Sequence, residues 1–178
     1  MDAQTIIKSA KSVDWSDEEA LVSKLSFSYQ IIKASERLLS EAIEELPDGR
    51  LRTYYVEHLE EEKNHAEWLL EDLGFTPAYS PLAAAIAGSQ YYLIKHEHPA
   101  ALLGYMAVLE GNGPTLDFIN AMEVIHGRKI MRTWRHHVMA DIEHHKDIQE
   151  EIKAHPEHAK LIEMNAIQTA YYLVSHNG

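Results

Sequence analysis

The 178-residue chain contains no cysteine. That excludes disulfides, thiolate zinc sites, iron–sulfur clusters and any cysteine nucleophile. Basic side chains are also scarce, with 16 Lys and Arg against 28 Asp and Glu. A protein that grips a phosphate backbone needs clustered cations, so nucleic acid is not an expected partner. No apolar run reaches the ~18 residues of a membrane span, and none is expected. The start, Met1-Asp2-Ala3-Gln4, lacks the basic and apolar regions of a signal peptide. The expected location is cytoplasmic. Strand-like alternation, internal repeats and low-complexity linkers are missing too.

What the sequence has in plenty is helical periodicity. Ser16-Asp17-Glu18-Glu19 has the form of a capping box, and apolar residues then recur on one face at Leu21, Leu25, Ile32, Leu39, Ile43 and Leu46. Pro47-Asp48-Gly49 stops that helix. The spacing predicts a second helix over 51–73, closed by Gly74, and a third over 82–95. A fourth begins near Ala100 and meets the breakers Gly111-Asn112-Gly113-Pro114. Helicity resumes over 115–126, a fifth long helix covers about 129–154, and a last one starts at Pro156 and runs to about Val174. The expected fold is all-α: one helical bundle of six to seven helices over residues 1–178, with 1–15 as a partly irregular extension.

Histidine is the second abundance, twelve in all, and placement matters more than number. Each long helix can be read as a wheel, asking what interrupts its apolar face. On the second helix Glu62 falls inside the arc of Leu51, Tyr55, Leu59, Ala66 and Leu69, with His58 and His65 at its edge and Glu61 slightly further out. On the fourth, Glu110 lies below Leu103 and Met106 at helical spacing. On the fifth, Asp141 projects among Trp134, Val138 and Ile148, flanked by His137 and His144. A buried carboxylate without a partner is very unfavourable, and Arg132, Arg135, Lys146 and Lys153 lie mostly off the apolar arc. A bound cation is the economical compensation. Imidazole nitrogen with carboxylate oxygen suits non-haem iron, manganese and zinc. The Glu62-x-x-His65 and Asp141-x-x-His144 pairs have the spacing by which helical bundles present such ligands.

His96, His98, His155 and His158 sit near helix ends and prolines and are read as caps or solvated groups. His136 and His145 point elsewhere on the wheel. Tyr54, Tyr91, Tyr92, Tyr105, Tyr171 and Tyr172 are read as core or pocket-lining aromatics.

Over about 51–172 the chain resembles the haem-oxygenase-like di-iron oxidases and oxygenases, a superfamily that also holds the thiaminase II and pyrroloquinoline-quinone synthase folds. The resemblance rests on His65-Ala66-Glu67-Trp68-Leu69 with Gly74, on Leu103 to Gly111 with Glu110, and on His137-x3-Asp141-x2-His144. It implies metal ligands at His65, Glu110, His137, Asp141 and His144. The family often has a glutamate seven residues before the first histidine, where this chain has His58, so either His58 ligates or Glu62 supplies the carboxylate. A thiaminase II activity is excluded without cysteine, and haem is disfavoured because no histidine lies in 20–46.

By resemblance, two iron ions (or one iron, manganese or zinc) would activate O2 and oxidise a small organic substrate such as an amino acid or fatty acid. A homodimer is the expected assembly. The rival expectation is a non-catalytic, ferritin-like protein that binds or stores metal.

Overall fold

The structure, a computed structural model, describes residues 1–176, apart from the side chains of residues 141–143. Among the described residues it is all-helical, with nine α-helices and no strand. They are α1 (Ala3–Lys8), α2 (Glu18–Glu45), α3 (Arg50–Glu62), α4 (His65–Leu73), α5 (Pro81–His96), α6 (Leu102–Glu110), α7 (Leu116–His126), α8 (Arg132–Ala154) and α9 (Ala159–His176). Short 3-10 turns, Pro99–Ala101 and Pro156–His158, lead into α6 and α9.

Local chemistry sets most of these ends. The Asp17 side chain accepts the Glu19 N–H at the start of α2, one residue later than the expected Ser16 cap. Ser16 instead hydrogen-bonds Asp14 through its own hydroxyl and N–H. Gly74 takes the left-handed conformation after α4 and returns its N–H to Leu70. Ser80 caps α5 ahead of Pro81, and Thr115 caps α7 after the Gly111–Pro114 break.

The helix count exceeds the expected six to seven for two reasons. The 1–15 extension contains α1, whose Ile6 is buried in a small apolar cluster with Val108 and Ala170. The expected second helix is broken. Lys63 turns to an extended conformation and Asn64 adopts φ 69°, the one non-glycine residue with positive φ among the described residues. Asparagine accepts that region because its short polar side chain tolerates it. The chain restarts as α4 at His65.

α2 is the long central element, packed against α3, α4 and α5, while α6 packs on α8 and α9. Two apolar clusters share α2. One gathers Phe27, Ile31, Leu39, Tyr55, Ile86 and Leu103; the other gathers Leu21, Leu25, Leu69, Met131 and Trp134. Each fully buried leucine or isoleucine among them contributes about 1.5–3 kcal/mol. α6 approaches α9 so closely that a Cβ on Gly104 would lie 2.1 Å from the Ile162 carbonyl oxygen. Tyr55 and Tyr105 are fully buried, but Tyr91, Tyr92 and Tyr171 are exposed, contrary to their expected place in the core or a pocket. No helix among the described residues is long and apolar enough to cross a membrane.

Candidate metal centre

α3, α4, α6 and α8 bring their acids and imidazoles together inside the bundle. His58 and Glu62 lie on the buried face of α3, and His65 opens α4 immediately after the break; all three are buried. Glu110 ends α6, just before a glycine where any side chain would collide with the Ala107 carbonyl and the His145 ring. His137 and His144 come from α8, two helical turns apart.

Two groups form. In the first, His58, Glu61 and His144 each place a ligand atom within 4.8 Å of the others. His144 Nε2 lies 3.1 Å from Glu61 Oε2, and the His58 and His144 rings meet edge to face at 5.1 Å. Glu110 joins from α6: its Oε1 is 3.3 Å from His58 Nε2, and its Oε2 is 3.8 Å from His144 Nδ1. In the second, Glu62, His65 and His137 meet the same 4.8 Å criterion. His65 Nδ1 stands 3.2 Å from Glu62 Oε2, and the His65 and His137 rings are 4.7 Å apart.

The structure therefore brings His58, Glu62, His65, Glu110, His137 and His144 together. It assigns His58 and Glu62, which compete for one place in the sequence, to different groups. The Asp141 side chain lies outside the described residues. Glu61 is the addition. Its side chain is 57% exposed, and the wheel puts it at the margin; only its i+3 spacing from His58 could have drawn attention to it. His136, set aside in the sequence, does touch the cluster, with its ring 4.9 Å from that of His65. It is exposed and falls in neither group.

Electrostatics reflects the crowding. For Glu62, burial works to raise the carboxyl pKa, but the His65 hydrogen bond and the nearby His137, His58 and His65 together hold it down to about 2. His137 is pushed down to about 4, chiefly by burial and against the pull of Glu62. His58 moves the other way: burial opposes its charge, yet the hydrogen bond and charge of Glu110, with Glu62 and Glu61, outweigh it. Tyr105 is held well above its ordinary range by burial, and Glu62 and Glu110 add to this.

These residues fit a metal ion. Glu110 Oε2 and His144 Nδ1 are buried and face each other without a hydrogen bond. At 3.8 Å they are too far apart for one, but two ligands of a single cation can stand at that separation, each ~2 Å from the ion. Among the described ion pairs, Glu62 and Glu110 meet only imidazoles, never Lys or Arg. The donor set, nitrogen and carboxylate oxygen, is that of iron, manganese or zinc.

Beside the groups lies a cavity of about 550 Å3. His58, Glu62, Glu110 and His137 form part of its wall, and apolar side chains such as Phe27, Ile31, Leu39, Met106 and Trp134 form much of the rest. Comparison with protein-family models, with curated proteins and with solved structures gives no match in any of the three.

Proposed function

We propose that the chain is a non-haem iron oxidase or oxygenase, with two irons, that uses O2 to oxidise a small organic substrate such as an amino acid or fatty acid. The observation that carries this reading is the shared wall: His58 from one group and Glu62 and His137 from the other border one largely apolar cavity. A site that only held metal would not need room for an organic molecule beside it.

His58, Glu61, His144 and Glu110 would hold one ion, and Glu62, His65 and His137 the other. Iron bound there would supply O2 activation, because neutral imidazoles and anionic carboxylates leave it reducible with positions open. The protein residues do the remaining work. The apolar wall excludes water from the reacting end, which strengthens electrostatic effects there. Burial and the low pKa of His137 keep that imidazole neutral and able to ligate at neutral pH. Tyr105, kept protonated, hydrogen-bonds Ser35 and closes the α2 side of the site.

Metal content after anaerobic loading with ferrous iron tests this. The expected result is about two irons per chain, with an optical change on adding O2. His144→Ala should lower uptake sharply, and unchanged uptake in that variant would count heavily against the assignment. Assembly into a cage that oxidises and retains iron with no organic substrate would point to storage instead.

A further inference from the structure

The cavity is not electrically symmetric. The carboxylates of Glu62 and Glu110 lie at one end, whereas Lys24 is the only Lys or Arg among its lining residues. Lys24 forms no ion pair with any described acid; its nearest described partner is the Phe27 ring, with Nζ 5.6 Å from the centroid. His176 stacks on the same Phe27 at 4.0 Å, adding a second basic group nearby. Lys24 is half-buried, and that burial pushes its pKa down, as expected of an ammonium group partly withdrawn from water without gaining an anion.

The two ends are joined by a stripe on α2: Lys24, Ser28, Ile31, Ser35 and Leu39 all line the cavity, and their spacing keeps them on one helical face. Ser35 marks the level of the acids, because its hydroxyl meets Tyr105 at 3.0 Å and Tyr105 feels both Glu62 and Glu110. Lys24 and Ser35 are separated by about 16 Å of helix. Along α2 the wall is mostly apolar, with Lys24 toward one end and the level of the acids toward the other.

We infer that Lys24 anchors the carboxylate of an unbranched apolar monocarboxylic acid, whose hydrocarbon lies along α2 and whose far end reaches the Glu62–Glu110 side. In the metal-free protein the reverse orientation would set the carboxylate against Glu62 and Glu110, and with metal bound those acids and their imidazoles already occupy positions on the ions. The role of that far end as the reacting end rests on the oxidase reading. The anchoring does not.

Calorimetric titration of the full chain with decanoate and with decanol, one metal-free series and one zinc-loaded series, tests the anchor. Wild-type protein should bind decanoate about tenfold more tightly than decanol in both series, the worth of a charge-assisted contact. Lys24→Met should abolish that preference and leave decanol affinity unchanged, while Lys24→Arg retains it. Equal affinities in wild type, or a preference that survives Lys24→Met, would overturn the assignment of Lys24. A preference confined to the zinc-loaded series would also overturn it, by placing the carboxylate on the metal. Metal content of Lys24→Met should match wild type. A chain that takes up no iron yet prefers decanoate in the metal-free series sinks the oxidase reading and keeps the anchor.

Discussion

Two buried acids at opposite ends of α4 meet α8 in different ways. Asp72, in the last turn of α4, meets two Thr133 donors at Oδ2 and the Arg132 cation at Oδ1, although that second oxygen has no hydrogen bond of good geometry. Thr133 donates to its Oδ2 from N–H at 2.8 Å and from the hydroxyl at 2.6 Å, and Arg132 Nε lies 2.8 Å from its Oδ1. Glu62, just before α4, is ion-paired among the described residues only with histidine, and Glu110 beside it keeps one oxygen without a hydrogen bond. An acid whose purpose is to fasten two helices is matched with permanent donors. Acids matched only with imidazole, which can shed its proton and offer a lone pair, are suited to ligation. Burial alone does not separate the two roles; the identity of the partner does.

Asp72→Ala should be the most damaging change, because it leaves buried Thr133 donors unmatched. We expect a loss of about 3 kcal/mol in denaturant unfolding, with metal content per folded chain unaltered. Glu110→Gln should do the opposite. It removes a buried charge, so the metal-free protein should be as stable as wild type or more so, while metal affinity falls about 10–100-fold by competition with a chelator. If Glu110→Gln destabilised the metal-free fold as much as Asp72→Ala, the contrast between the two acids would collapse.

Acid should separate them further. In the metal-free protein His137 stays neutral down to about pH 4, whereas an unfolded histidine protonates near pH 6.5. The unfolded chain therefore binds the extra proton, and stability should fall as pH drops from about 6.5 to about 4. Glu62, held to about 2, adds a loss that begins below about pH 4.5. His58, whose pKa is raised, contributes stability below about pH 6.5 that is lost as pH rises through its folded value. Denaturation midpoints across this range should show a shallower acid loss in His137→Gln than in wild type. The smallest effect is expected at Asn64. Replacement by Ala should cost about 1 kcal/mol, because a Cβ residue without asparagine's local hydrogen bonding is disfavoured at positive φ, and replacement by Gly should cost less.

Most helices were legible because their periodicity and caps are local signals: Pro47 to Gly49, Gly74, and Gly111 to Pro114 all end helices as their chemistry demands. The break at Lys63–Asn64 was not. Glu60 to Asn64 contains neither proline nor glycine, and the apolar arc of Leu51, Tyr55 and Leu59 resumes in helical register at Ala66 and Leu69. Running one wheel across the break still placed Glu62 and His65 inward, since both lie close to the junction. α1 was missed because six residues are too few to show a period. For Glu61 its own helix offers only the spacing from His58, and its relation to His144 is made when α8 packs nearby. The exposed Tyr91, Tyr92 and Tyr171 show the limit of residue type as a guide to burial.

The left-handed turn at Asn64 has a further consequence. In an unbroken helix the azimuths of His58 and His65 would be locked by the pitch, so that rotating one would carry the other with it. With the turn between them, α3, which carries His58, Glu61 and Glu62, and α4, which carries His65, can be re-aimed separately. The His65 imidazole can thus be re-aimed by substitutions on α4 without turning His58 and Glu61 out of alignment.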